Sequence, residues 1–77
     1  MNLNYYRRLR DMREDHDLSQ RQLAEYLHIP QSQYHRYESG QREIPIHYLI
    51  RLAALYKTST DYLLGLTDNP KPYNKIL

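Results

Sequence analysis

Apolar residues recur along this chain at the three- and four-residue spacing of helix faces, in short runs separated by polar punctuation. Tyr5, Leu9 and Met12 form a narrow stripe, which predicts a first helix from Tyr5 to about Asp15 with Asn4 as its N-cap. Leu23, Ala24 and Leu27 predict a second helix; Ser19 begins it, and Gln22 three residues later completes a capping box. His28 and Ile29 form the turn after it. Pro30 has the φ of a helix start, the third helix runs from Gln31 to Ser39, and Gly40 stops it. After Gln41, Arg42 and Glu43, Pro45 starts a fourth helix in which Ile46, Leu49, Ile50, Ala53 and Tyr56 repeat at helical spacing. Leu52 and Leu55 widen that face, so this helix is expected to be buried on most sides. Ser59 caps a short fifth helix, Thr60 to Leu64, that Gly65 ends. Alternation never lasts four residues, so no strand is predicted. The fold class is all-α: a compact five-helix bundle over residues 1–66, followed by an aperiodic arm or linker, 67–77, with two prolines.

The third helix differs from the others in what it shows to solvent. Tyr34 and Tyr37, three apart, mark its core side. Gln31, Ser32, His35 and Arg36 lie on the other side and are hydrogen-bonding groups rather than plain charges. Such side chains on one helix face suit base edges in the major groove, where Gln pairs with adenine and Arg with guanine. Taken singly, an exposed Gln is only a solvated residue, and the argument needs the whole pattern.

Composition narrows the alternatives. Seventy-seven residues make one small domain with a small core. With no cysteine there are no disulfides, thiolate metal sites or cysteine nucleophiles, which suits a reducing cytoplasm. The first residues carry no apolar run behind their basic side chains, so no signal peptide is read there, and Ile44–Tyr56 is too short and too interrupted to span a bilayer. Eleven bases against nine acids give a net charge of only +2, so any basic surface must come from placement. His16, His28, His35 and His47 lie twelve, seven and twelve residues apart, which is not metal-ligand spacing, so neither metal nor cofactor is expected. Gly40 and Gly65 are the only glycines, no phosphate loop exists, and nothing points to an enzyme. Arg7, Arg8 and Arg10 read as a solvated face from which Arg10 could reach phosphate.

The segments Leu-Ser-Gln-Arg-Gln-Leu-Ala, Ile-Pro-Gln-Ser, Tyr-Glu-Ser-Gly, Leu-Ala-Ala-Leu-Tyr and Asp-Tyr-Leu-Leu-Gly follow one another in the order and spacing of the phage-repressor and Cro-type (XRE) helix-turn-helix domain, which residues 5–66 resemble. The resemblance implies a lambda repressor-like bundle that lays its third helix in the major groove. It places Gln31, Ser32 and Arg36 at base-reading positions, with Gln33 and His35 towards the groove walls and phosphates. Gln20 is implied as a phosphate clamp in the first turn of the second helix, and Arg42 as a backbone contact on the far side. It further implies a structural ion pair between Arg13 and Glu38. Two departures stand out: His28 holds a turn position often occupied by glycine, and Pro30 and Pro45 stand where Ser or Thr usually caps. The expected function is sequence-specific binding of double-stranded DNA by a homodimer on a near-palindrome, as a transcriptional regulator, usually a repressor, in a bacterial or phage context. No small-molecule effector is evident. A protein-interaction module such as an antitoxin, or the reading domain of a longer regulator, are the alternatives. The dimer surface is expected on the fifth helix and tail, through Leu66, Tyr73, Ile76 and Leu77.

Overall fold

A computed structural model describes residues 5–72. It contains α1 (Tyr5–Asp15), α2 (Gln20–Leu27), α3 (Gln31–Glu38), α4 (Ile46–Tyr56) and α5 (Thr60–Leu64), with no strand among the described residues. Leu9, Leu23, Leu27, Tyr34, Leu52 and Leu63 are completely enclosed, so every helix sends at least one side chain to a common centre. α2 packs most extensively on α3, α1 on α5 and α3, and α4 on α5.

The helix starts follow their local chemistry. Ser19 Oγ accepts from the Gln22 N–H at 3.0 Å while Gln22 Oε1 accepts from the Ser19 N–H at 2.8 Å, a reciprocal capping box. Ser59 Oγ accepts from the Tyr62 N–H in the same way. Pro30 and Pro45 stand one residue before their helices in extended geometry and offer no side-chain acceptor. Their carbonyls instead take the first backbone bonds, from Gln33 and Tyr34 and from Tyr48 and Leu49. Asn4 lies outside the described residues.

All five helices end alike. A left-handed residue (Asp17, His28, Gly40, Lys57 or Gly65) is followed by an N–H that returns to the carbonyl five residues back. Only two of these five positions are glycine. A left-handed backbone costs an L-residue roughly 1–2 kcal/mol. His28, at φ 59° and exposed, therefore holds a strain that glycine relieves. His28→Gly is expected to raise stability by about 1 kcal/mol, or about 4–8 °C in Tm, in thermal denaturation; a loss of stability would show that the histidine ring makes a compensating contact.

The fourth helix corrects the expectation of burial on most sides. Leu49, Leu52, Ala53 and Tyr56 are buried, but Ile46 is 70 % and Ile50 54 % exposed, and Leu55 lies at the surface. Four other short helices cannot surround an 11-residue rod, so α4 packs by one face only. The third helix ends at Glu38, one residue earlier than read from the pattern.

Two sets of contacts hold this body together in ways the apolar pattern does not show. Arg51, on α4, donates to the carbonyls of Tyr26 and Leu27 at the C-terminus of α2, and the Tyr26 hydroxyl donates back to the Arg51 carbonyl at 2.9 Å. A guanidinium on terminal helix carbonyls satisfies orphan acceptors and meets the negative end of the helix dipole. Beyond α5, the Thr58 hydroxyl donates to the Pro70 carbonyl at 2.6 Å, and Arg8 lies 3.5 Å from Asp68 while covering the Tyr62 ring. Residues 68–70 thus lie against the body. Tyr73, Ile76 and Leu77 fall outside the described residues.

Candidate nucleic-acid interface

The interface is built on the α2–turn–α3 unit. Ser19 fixes where α2 begins and so where Gln20 stands, and the left-handed His28 reverses the chain within three residues. Tyr34 and Tyr37 anchor the inner face of α3, with 0 % and 4 % exposure. The same rotation turns Gln31, Ser32, His35 and Arg36 outward, and all four are exposed. They line a single open concavity together with Gln20 and Gln41. Three candidate base-reading residues are thus brought together with two of the four candidate backbone-contacting ones.

The other two lie apart from this surface. Gln33 is half-buried and donates from Nε2 to the Tyr37 hydroxyl at 2.7 Å, which draws its amide along α3. Arg42 is exposed in the loop beyond Gly40; its N–H returns to the Arg36 carbonyl, and its side chain does not line the concavity.

Gln41 is a lining residue that sequence reasoning missed. Its one signal was position, immediately after the glycine that ends α3. The glycine has a second reason to be there besides φ +80°: a Cβ at Gly40 would sit 3.1 Å from the Tyr6 ring. Tyr6 thereby seats the start of the loop against α1.

Beneath the concavity runs a polar network. Arg13 Nε and Nη2 donate to the two carboxylate oxygens of Glu38 at 2.8 and 2.9 Å, and Nη1 donates to the Leu18 carbonyl at 2.8 Å. The Glu38 side chain is 3 % exposed, so this is a bidentate pair largely withdrawn from water. Hydrogen bonding to Glu38 raises the Arg13 pKa above its ordinary value. The Gln20 amide reaches over this pair at longer range, Nε2 lying 3.4 Å from Glu38 Oε1 and Oε1 lying 3.3 Å from His35 Nδ1. One glutamine amide thus connects the α1–α3 ion pair to the exposed face of α3. A smaller hollow adjoins the first, lined by Arg10, Arg13, Gln20, His35, Glu38 and Ser39. Arg10 is exposed there and makes only a loose 3.8 Å contact with Glu14, so its charge is available at the rim.

The hydroxyls of Tyr34 and Tyr56 are both enclosed near the same carboxylate. Burial first, and the Glu38 charge second, push both phenols well above their ordinary pKa. A tyrosine in the unfolded chain ionises near pH 10, so the folded state holds protons that the unfolded state releases. Stability from these groups is therefore complete below pH 10 and is lost as pH rises. Alkaline unfolding should steepen above pH 10 by up to about 1.4 kcal/mol per pH unit for each phenol. Tyr34→Phe and Tyr56→Phe should each remove that increment from urea midpoints followed between pH 8 and 11.5. An unchanged slope in both variants would show that neither phenol governs it.

Residues 9–63 match the sequence profile of the family described as helix-turn-helix. The chain is similar to an uncharacterised HTH-type transcriptional regulator, YobD, of Bacillus subtilis (strain 168), with 47 % identity over 68 residues, 88 % of this chain and 61 % of that protein. It is also similar to the HTH-type transcriptional regulator ImmR of the same organism, with 37 % identity over 65 residues, 84 % of this chain and 51 % of that protein. The chain therefore spans only about half to three-fifths of the length of these curated relatives. No solved structure matches it significantly.

Proposed function

We propose that this chain, which belongs to the XRE-type helix-turn-helix family of transcriptional regulators, binds double-stranded DNA sequence-specifically through α3, as a homodimer on a near-palindromic site, and represses transcription by steric exclusion. The observation that carries this reading is the common exposed surface formed by Gln31, Ser32 and Arg36, with Gln20 and His35 beside them. Gln31 and Arg36 match the adenine and guanine edges of the major groove, and Ser32 accepts or donates to either. Gln20 at the positive end of α2, together with Arg10 at the rim of the adjoining hollow, serves the phosphates. Gln33 and Arg42 contribute to backbone contact from the margins. Gln41 is added to the residues facing DNA.

The test is selection from a random duplex library near physiological salt. Enrichment of an inverted repeat with half-sites about one helical turn apart, roughly 34 Å, is the expected result. Weak, salt-sensitive binding with no enriched sequence would reject the reading, because phosphate attraction alone produces that behaviour.

A further inference from the structure

His35 stands on the boundary between two parts of the interface. It lines the concavity that holds Gln31, Ser32 and Arg36, and it also lines the smaller hollow beside Arg10 and Ser39. Its exposed ring meets the Gln20 amide, with Nδ1 3.3 Å from Gln20 Oε1. The orientation of that amide follows from its other neighbour. Glu38 is gripped by Arg13 through both carboxylate oxygens and offers acceptors only, so it takes the NH2 end of Gln20, at 3.4 Å. The Gln20 oxygen is left for His35, and Nδ1 must be the donor. A neutral imidazole has one N–H. With that hydrogen at Nδ1, the remaining nitrogen, Nε2, is a bare acceptor.

We infer that His35 takes up a proton when the domain binds DNA, and that the protonated ring donates from Nε2 to a backbone phosphate. The inference rests on the reading of α3 given above and supplies the chemistry of one of its contacts. A phosphate oxygen only accepts, so it repels the bare Nε2 of the neutral ring and takes a charge-assisted bond from the imidazolium, in which both nitrogens donate. The Glu38–Gln20 chain blocks the alternative, a neutral ring with its hydrogen moved to Nε2. That tautomer would set the Nδ1 lone pair against the Gln20 oxygen, and turning the amide over to relieve it would set the same oxygen against Glu38. Contact with phosphate therefore requires the charged ring.

The surroundings make phosphate the counter-charge. The charged groups that line the two hollows with His35 are Arg10 and Arg13 from α1 and Arg36 and Glu38 from α3. The second helix and the loop after Gly40 contribute the uncharged Gln20 and Gln41. Among the described residues the nearby carboxylates are already engaged, Glu38 by Arg13 and Glu14, 3.8 Å from it, by Arg10. Phosphate is thus the first anion to meet the ring directly, and rings that are neutral beforehand must gain a proton to hold it. Imidazoles change charge between about pH 5 and 8, so the uptake falls in an accessible range. The complex then holds a proton that part of the free protein lacks, so affinity rises as pH falls.

The experiment follows binding of the 77-residue chain to the selected duplex by fluorescence anisotropy from pH 8 to pH 6 at fixed salt, with calorimetry in buffers of different ionisation enthalpy to count protons. Affinity should rise about 10-fold per bound copy across that range, with uptake approaching about one proton per copy at its alkaline end. His35→Gln should flatten the profile near the alkaline level of the unaltered chain. His35→Arg, with its fixed charge, should flatten it near the acid level. Gln20→Ala should weaken binding and also make the profile shallower, because the neutral ring is then free to donate from Nε2. If Gln20 only contacts phosphate itself, its loss lowers affinity without changing the slope, and the tautomer argument fails. A flat profile in the unaltered chain, or a slope that survives in His35→Gln, would overturn proton uptake at His35 while leaving sequence-specific binding intact. Absence of any enriched sequence at either pH would overturn both the contact and the reading on which it rests.

Discussion

Glu38→Gln should lower folding stability by roughly 3–5 kcal/mol, the cost of leaving a buried charge without its partner. The Arg13 guanidinium is held by both oxygens of Glu38 and by the Leu18 carbonyl, and its side chain is 15 % exposed, so it has little water to fall back on. A domain of this size is stable by roughly 4–12 kcal/mol in all, so the variant should stand near the edge of folding. Arg13→Ala should cost a similar amount for the converse reason, since it strands a nearly inaccessible carboxylate. Replacing both, Arg13→Met with Glu38→Leu, should cost much less than the sum of the single changes. Urea denaturation of the four proteins measures the coupling directly. If the single variants lose less than about 1 kcal/mol, water reaches the pair and it is an ordinary surface bridge. A loss of DNA affinity in Glu38→Gln beyond what unfolding explains would show that the carboxylate also orients Gln20, which lies 3.4 Å away.

Arg36→Ala should weaken binding by roughly 1–3 kcal/mol per half-site and relax preference at one symmetric pair of base positions. Arg36 is exposed, lies one turn after Gln31 and Ser32 on the same surface, and has no carboxylate within ion-pair distance among the described residues. Gln20→Ala is the contrasting change. Its amide faces Glu38 and His35 at the edge of that surface, so its loss should weaken all sequences about equally. Parallel selections with the two variants separate these patterns. Uniform weakening by both would place the base-reading residues elsewhere on α3, and Gln41 would then be the next residue to change.

Much of this molecule was legible before folding was considered. Each helix, and the serines that cap α2 and α5, depend on residues within a few positions of one another, so local chemistry was enough. The outward set on α3 followed from the two tyrosines that had to face inward. Other features were not legible, because they depend on what lies opposite. Ile46 and Ile50 fit the helical repeat of α4 as well as Leu49 and Ala53 do, and they are exposed because no other described element packs over them. Arg51 read as an interruption of an apolar helix until the C-terminus of α2 supplied its carbonyl partners. Gln41 carried no distinguishing residue type, and Gln33 resembled Gln31 until the Tyr37 hydroxyl engaged it.

By itself the sequence determined the all-helical class, the order and approximate limits of five helices, and the residues that α3 turns outward. Periodicity, capping and steric preference act over one or two turns and need no distant partner. The tertiary structure alone decided which apolar row of α4 stays uncovered, how Gln20 bridges Glu38 and His35, and where the loop after Gly40 is seated by Tyr6. Those outcomes join groups 15 to 34 residues apart, and side-chain type gives no information about which distant group will arrive until the helices have packed.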